Sequence, residues 1–257
     1  MSKLNLETLV LLKNSHKKRK DGLCIMEAVA YFAGEPHSDH PKCTCPVLTS
    51  FAILLNDRWD NRRRQKLKKY IPKLVGTSLG IDVERKRAYV AADWACRALI
   101  PMLLELCGSD GVEWSIKLQA LPEVIDKPTA DMARAMVNTV RVFANATAAN
   151  ATAADADAAD ATAANQATLA AAAAAASATA AYVTHDAYIY AATHAGYVAT
   201  DAAEAAGYVA TDAAEAAAYV EAAANAPNSI VDKIDESALA CIDRMLNVGT
   251  TLEKTNG

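Results

Sequence analysis

Ala195-Gly-Tyr-Val-Ala-Thr-Asp-Ala-Ala-Glu-Ala205 is followed at once by a second copy over 206–216, and a decayed third copy begins at Ala217. Eleven residues make about three helical turns, so this period keeps one face nearly straight along a helix. Asp201, Glu204 and Tyr208 then lie within about 40° of Tyr197, on one polar stripe. Alanine, with Val198 at its edge, fills an arc on the other side. Alanine is the best helix former and is depleted in strands. An arc with so little bulk is buried only when another backbone comes close, at the short end of the usual spacing of about 8–10 Å. The repeat therefore predicts an all-α protein with a long alanine-rich helical hairpin or bundle, and a homo-oligomer where the arc packs between chains.

Upstream the pattern changes to NATAA, NATAA, DADAA, DATAA from Asn145 onward. A five-residue period turns through about 140°, so its polar residues spiral and define no face. A helix is expected here, with disorder and a five-residue β-solenoid as alternatives. Across 144–226 alanine fills 43 of 83 positions, with 9 acids and no Lys or Arg. The chain thus divides into a multi-helix N-terminal head (1–143, net +7), an alanine-rich segment (144–226, net −9) and a C-terminal amphipathic helix (227–257, net −2) packing on the head or the rod. Opposite charge on head and rod predicts contact between them; two separately solvated surfaces are the alternative. The composition excludes collagen-like, disulfide-scaffold and Gly/Pro-rich disordered classes.

In the head, Asn5 is placed to cap a first helix bearing Leu6, Leu9, Val10 and Leu12, and a basic loop follows over 13–20. A second helix over 23–33 stops at Gly34, which tolerates the left-handed conformation. Pro46 starts the next. Asp60 caps a basic helix over 61–71, a long helix over 82–106 is kinked at Pro101, and 109–121 is short. Thr129 caps a helix entering the alanine region, and the last helix, capped by Asn228 or Ser229, carries Ile234, Leu239, Ile242 and Met245. The opening residues mix Lys and Glu with leucine, no apolar run is long enough to span a bilayer, and Cys24, Cys96, Cys107 and Cys241 sit in apolar segments as free thiols do. A cytoplasmic protein without membrane attachment is expected.

Helix 23–33 is apolar on every face except at Glu27, and a buried carboxylate needs a partner or a raised pKa. The loop after Gly34 supplies Ser38, Asp39 and His40, and a second apolar helix carries Asp93, Trp94 and Arg97, with Asp93 and Arg97 spaced to pair. Glu27, Asp39, His40, Asp93 and Arg97 are expected to form one buried polar network, with Tyr31 and Trp94 lining it, either to set helix register or to hold a ligand. His37, His40, Cys43 and Cys45 offer four soft ligands in nine residues, but the spacing is tighter than in zinc hairpins and prolines intervene, so no metal and no cofactor are predicted. The basic helix bearing Arg62, Arg63, Arg64, Lys66, Lys68, Lys69 and Lys73 suits phosphates or the acidic rod; nucleic acid is not the expected partner, since no reading motif accompanies it.

The stretch LCIMEAVAYFAGEPHSDHP at 23–41, with IPKLVGT at 71–77, AADWACR at 91–97, the alanine repeats and ESALACIDRML at 236–246, resembles an uncharacterised family of bacterial and phage proteins. That family often has an aromatic residue where His37 stands and does not require both cysteines. The resemblance implies Glu27, Ser38, Asp39, His40, Asp93 and Arg97 as the shared polar positions. It implies no activity; occurrence in phages implies a host-interaction or signal-sequestering role, by analogy. The leading expectation is a non-catalytic binding protein for a small, nucleotide-like ligand or host factor. The alternative is a hydrolase of a nucleotide-like ligand with Glu27 or His40 as general base.

Overall fold

A computed structural model describes residues 4–105, 108–155 and 230–250. Regular structure among them is helical throughout, without a strand. Helix α1 (Ile25–Ala33) is the central element, with residues 25–30 buried. Gly34, at φ 77°, ends it by closing back on the carbonyls of Ala30 and Tyr31. Helix α2 (Pro46–Arg58) starts on Pro46, whose missing N–H costs nothing at that position.

The basic stretch is an arm rather than one helix: α3 (Asn61–Arg64), a 3₁₀ segment (Gln65–Tyr70) and α4 (Ile71–Leu74). Asp60 caps it as expected, accepting the N–H groups of Arg62 and Arg63 at 2.8 Å. Its bend is set by Arg64, buried and donating to the carbonyls of Asn56 (2.5 Å) and Trp59 (2.6 Å) and to Asn61 Oδ1 (2.7 Å).

Helix α5 (Ile81–Trp94) runs through a π-turn (Ala95–Leu99) into α6 (Ile100–Leu104). Pro101 lacks an N–H, and its ring would press on the carbonyl one turn back; the wider turn just before it relieves both problems. Helices α7 (Gly108–Gln119) and α8 (Lys127–Asp155) follow. The first residues of the NATAA repeat are therefore helical, as extensions of α8; the rest of that repeat and the eleven-residue repeats lie outside the described residues. The start of α8 corrects the expected cap. Asp126 Oδ1 accepts the Thr129 N–H at 3.0 Å, and Thr129 Oγ1 accepts the N–H groups of Ile125 and Asp126 at 3.1 Å. The two side chains share the role expected of Thr129 alone.

Helix α9 (Ile230–Thr250) packs along α5, burying Ile234, Ala238, Cys241, Ile242 and Met245 at helical spacing. The C-terminal helix thus docks on the head. The expected helix near Leu6–Leu12 is absent: a single turn at Leu6–Thr8 gives way to an irregular segment. Asn5 does accept the Glu7 N–H (2.9 Å), but Leu11 exchanges both backbone bonds with the Gln65 amide (2.9 and 3.0 Å), and Leu12 bonds to Leu23 (2.9 Å). Tertiary partners take the backbone groups that a helix would have paired internally.

Candidate functional site

The residues expected to form one network fall into separate places. Glu27, 1% exposed, is the third residue of α1 and closes a capping box: the Cys24 N–H donates to Glu27 Oε2 (2.8 Å), and the Glu27 N–H donates to Cys24 Sγ (3.4 Å). The basic loop completes it. The His16 N–H reaches Oε1 at 2.5 Å, His16 Nδ1 lies 2.9 Å from Oε2, and His37 Nε2 lies 3.4 Å from Oε1 and 2.7 Å from the His16 carbonyl. Burial alone would raise the Glu27 carboxyl; the N–H donors of Cys24 and His16, with the His16 ring, hold it below the ordinary glutamate value instead. The carboxylate is therefore ionised and filled by donors, and it fixes His16 with one ring nitrogen turned inward.

His40 does not join it. Its ring is 64% exposed and sits 2.9 Å from the neighbouring Asp39, while Ser38 Oγ accepts the His40 N–H at 3.0 Å. This turn is held by Glu35, which accepts the N–H groups of Lys42 and Cys43 (2.8 and 2.9 Å) and so closes the loop away from α1's buried end. Tyr31 lies beneath Arg19, whose guanidinium is 4.2 Å from the ring centre. Cys45 is buried at the start of α2, so His37, His40, Cys43 and Cys45 point to different surroundings; among the described residues, no group of three His, Cys, Asp or Glu is arranged to hold a metal.

Asp93 and Arg97 do pair, at 3.0 Å, but on the other side of the core. Asp93 also accepts the Val124 N–H (3.0 Å) and Arg244 Nη2 (2.9 Å), joining α5, the α7–α8 connection and α9. Trp94 is a core residue: it packs edge-on against Phe51 at 5.5 Å and donates to Ser237 Oγ at 2.7 Å. Both residues place α9. The basic arm does the same from the far side. Arg63 forks onto Asp235 (Nε at 3.0 Å, Nη2 at 2.6 Å), Lys66 adds a bond at 3.0 Å, and Tyr70 and Lys73 hold Asp243 at 3.0 and 3.2 Å. The arm's acidic partner is thus α9 of the same chain. Burial pushes the thiols of Cys24 and Cys96 up to about 12, so neither supplies a nucleophilic thiolate near neutral pH.

The docking of α9 leaves a cavity of about 710 Å³, partly open to solvent, between its last turns, the loop after α4 and the start of α5. Lys73, Thr77, Arg87, Asp243 and Asn247 give it polar edges; Val75, Leu79 and Leu246 give it apolar walls. Its size lies within the range of small-molecule sites, about 300–1,000 Å³. Gly249 lets the last turn of α9 come close: a Cβ there would stand 2.4 Å from Leu79 Cδ1 and 3.1 Å from Arg87 Nη2. Of these residues only Lys73, in the basic stretch, was singled out from sequence as a candidate binding residue. Arg87 reads in the sequence as one cation among ERKR, and the Cys24-x-x-Glu27 spacing, a capping box with Cys in place of Ser or Thr, is a signal that could have revealed Glu27's structural role.

No family model matches the chain, and the searches of curated proteins and of solved structures find nothing significantly similar.

Proposed function

We propose that the protein is a non-catalytic, all-helical binding protein that takes a small ligand at the cavity between the head and its C-terminal helix, and that the alanine-rich segment associates its copies. The cavity carries this reading: about 710 Å³, with cations at its edge and apolar walls. A nucleotide-like molecule, with an anionic group and a flat apolar body, fits that lining in kind. Glu27 is an unsuitable ligand anchor because its oxygens are already occupied.

One observation favours a second reading. Glu27 orients His16 through Nδ1, which is how a carboxylate sets a histidine to act as a general base through its other nitrogen. A hydrolase would then use His16 in place of His40. Against it stands the absence, among the described residues, of a nucleophile bonded to that ring.

Native mass spectrometry of the full chain tests the binding reading. The expected spectrum shows multiples of the 27.2 kDa chain with an added small-molecule mass, lost in a Leu246→Trp variant that fills the cavity. Added mass that survives in this variant would place the ligand elsewhere.

A further inference from the structure

Arg87 is 1% exposed, and its guanidinium makes no salt bridge within hydrogen-bond distance among the described residues. Its Nε donates to the Met245 carbonyl (2.9 Å) and its Nη1 to the Thr77 carbonyl (2.6 Å). Those bonds hold the guanidinium in the cavity wall and leave Nη2 without a hydrogen bond among the described residues. The carboxyl one turn back, on Glu84, is buried too; it makes no hydrogen bond to the guanidinium, but the two charges attract across the turn. Lys73, at the rim, is already matched by Asp243 at 3.2 Å. Arg87 thus has a partial counter-charge in Glu84 but no ion-pair partner at hydrogen-bond distance, and its Nη2 stays unbonded. Neutral carbonyl dipoles do not cancel a full charge, and a buried ion that is only partly compensated is costly.

We propose that the cavity binds an organic anion, its oxyanion accepted by Arg87 Nη2 and its apolar body lying against Val75, Leu79 and Leu246. This rests on the cavity being a ligand site and adds the chemical class. A single free guanidinium nitrogen suits one charged oxygen group, such as a phosphate monoester, a carboxylate or a sulfonate. A bare inorganic ion would leave most of the cavity and its apolar walls unfilled, so the body of the ligand contributes as well. Arginine is the residue suited to this position, since its charge persists on burial and its planar fork is held by two carbonyls before the ligand arrives.

Two fluorescent probes of the same shape test it on the full-length protein: anilinonaphthalene sulfonate, an aromatic anion, and the neutral phenyl-naphthylamine. The sulfonate should bind at least about tenfold more tightly than its neutral counterpart, the effect of one charge-assisted hydrogen bond. Inorganic phosphate should displace it competitively. Arg87→Gln should erase the preference by weakening the sulfonate far more than the neutral probe, and Arg87→Lys should retain part of it. Equal binding of the two probes to the wild type, or a preference that persists in a folded Arg87→Gln protein, would overturn the anion assignment and leave the ligand site standing. Failure of both probes to bind would overturn the ligand site itself.

Discussion

At the scale of single residues, Glu27 shows how a buried charge becomes structural. Its carboxylate gathers the N–H groups of Cys24 and His16 and the His16 ring, so it joins the basic loop to the first turn of α1. Glu27→Ala should cost about 3–5 kcal/mol, the range for breaking a buried pair, read from denaturant unfolding. Glu27→Gln should cost less, because one acceptor oxygen remains. The pH dependence follows from the lowered carboxyl. A depressed folded-state pKa contributes stability that is complete above the ordinary value of 4.5 and is lost as the pH falls through the folded value. The melting-temperature gap between wild type and Glu27→Gln should therefore be full at neutral pH and narrow in acid. A constant gap would place the stabilisation elsewhere. Gly249 supplies a second prediction. The closest atom to its missing Cβ is the tip of Leu79, which is 50% exposed and can swing away. Gly249→Ala should change stability by no more than about 1 kcal/mol, since the gain in helix propensity offsets the crowding. It should nevertheless weaken probe binding, because the displaced tip enters the cavity.

Between elements, the question is what holds α9. Two kinds of ion pair face it. Asp235 is fully buried under the Arg63 fork, whereas Lys73 and Asp243 are each about half exposed. Removing one partner of the first strands a desolvated guanidinium; the second is screened by water. Asp235→Ala should destabilise by about 3–5 kcal/mol, and Lys73→Ala by less than about 1 kcal/mol. Chemical denaturation of both variants tests the contrast. Comparable losses would mean that apolar packing along α5, rather than the Arg63 fork, dominates the docking. The same pairing draws part of the basic arm into the fold: Arg63, Lys66 and Lys73 are engaged by α9, and Lys68 donates to the Leu9 carbonyl at 3.0 Å.

For the whole molecule, the described residues stop at 155 and resume at 230, on the helix that completes the core. Among the described residues, no helix is long and apolar enough to cross a membrane. Self-association through the alanine arc is a proposal that rests on the eleven-residue period. Leu at positions 202, 206 and 213 should overpack that contact, at roughly 1–3 kcal/mol per site, and shift the oligomer towards the single chain in light scattering. An unchanged mass and melting temperature would show that the arc is not a packed interface.

The helical class was legible without coordinates in the described head, where helical spacing and stop signals act locally, and so were the Asp60 cap, the Gly34 stop and the Asp93–Arg97 pair. Each of these depends on residues within about one turn of one another, so spacing alone specifies it. The partners of Glu27 were not legible. Glu27 was expected to meet His40 but meets His16, because Glu35 ties the His40 turn to the backbone of residues 42 and 43. Nor could spacing reveal that α9 would cover the basic arm, since Arg63 and Asp235 are separated by 172 residues. The cavity and the place of Arg87 in its wall exist only because α9, α5 and the loop after α4 converge. A cavity is the space left between elements, and three-dimensional packing alone decides which charges line it.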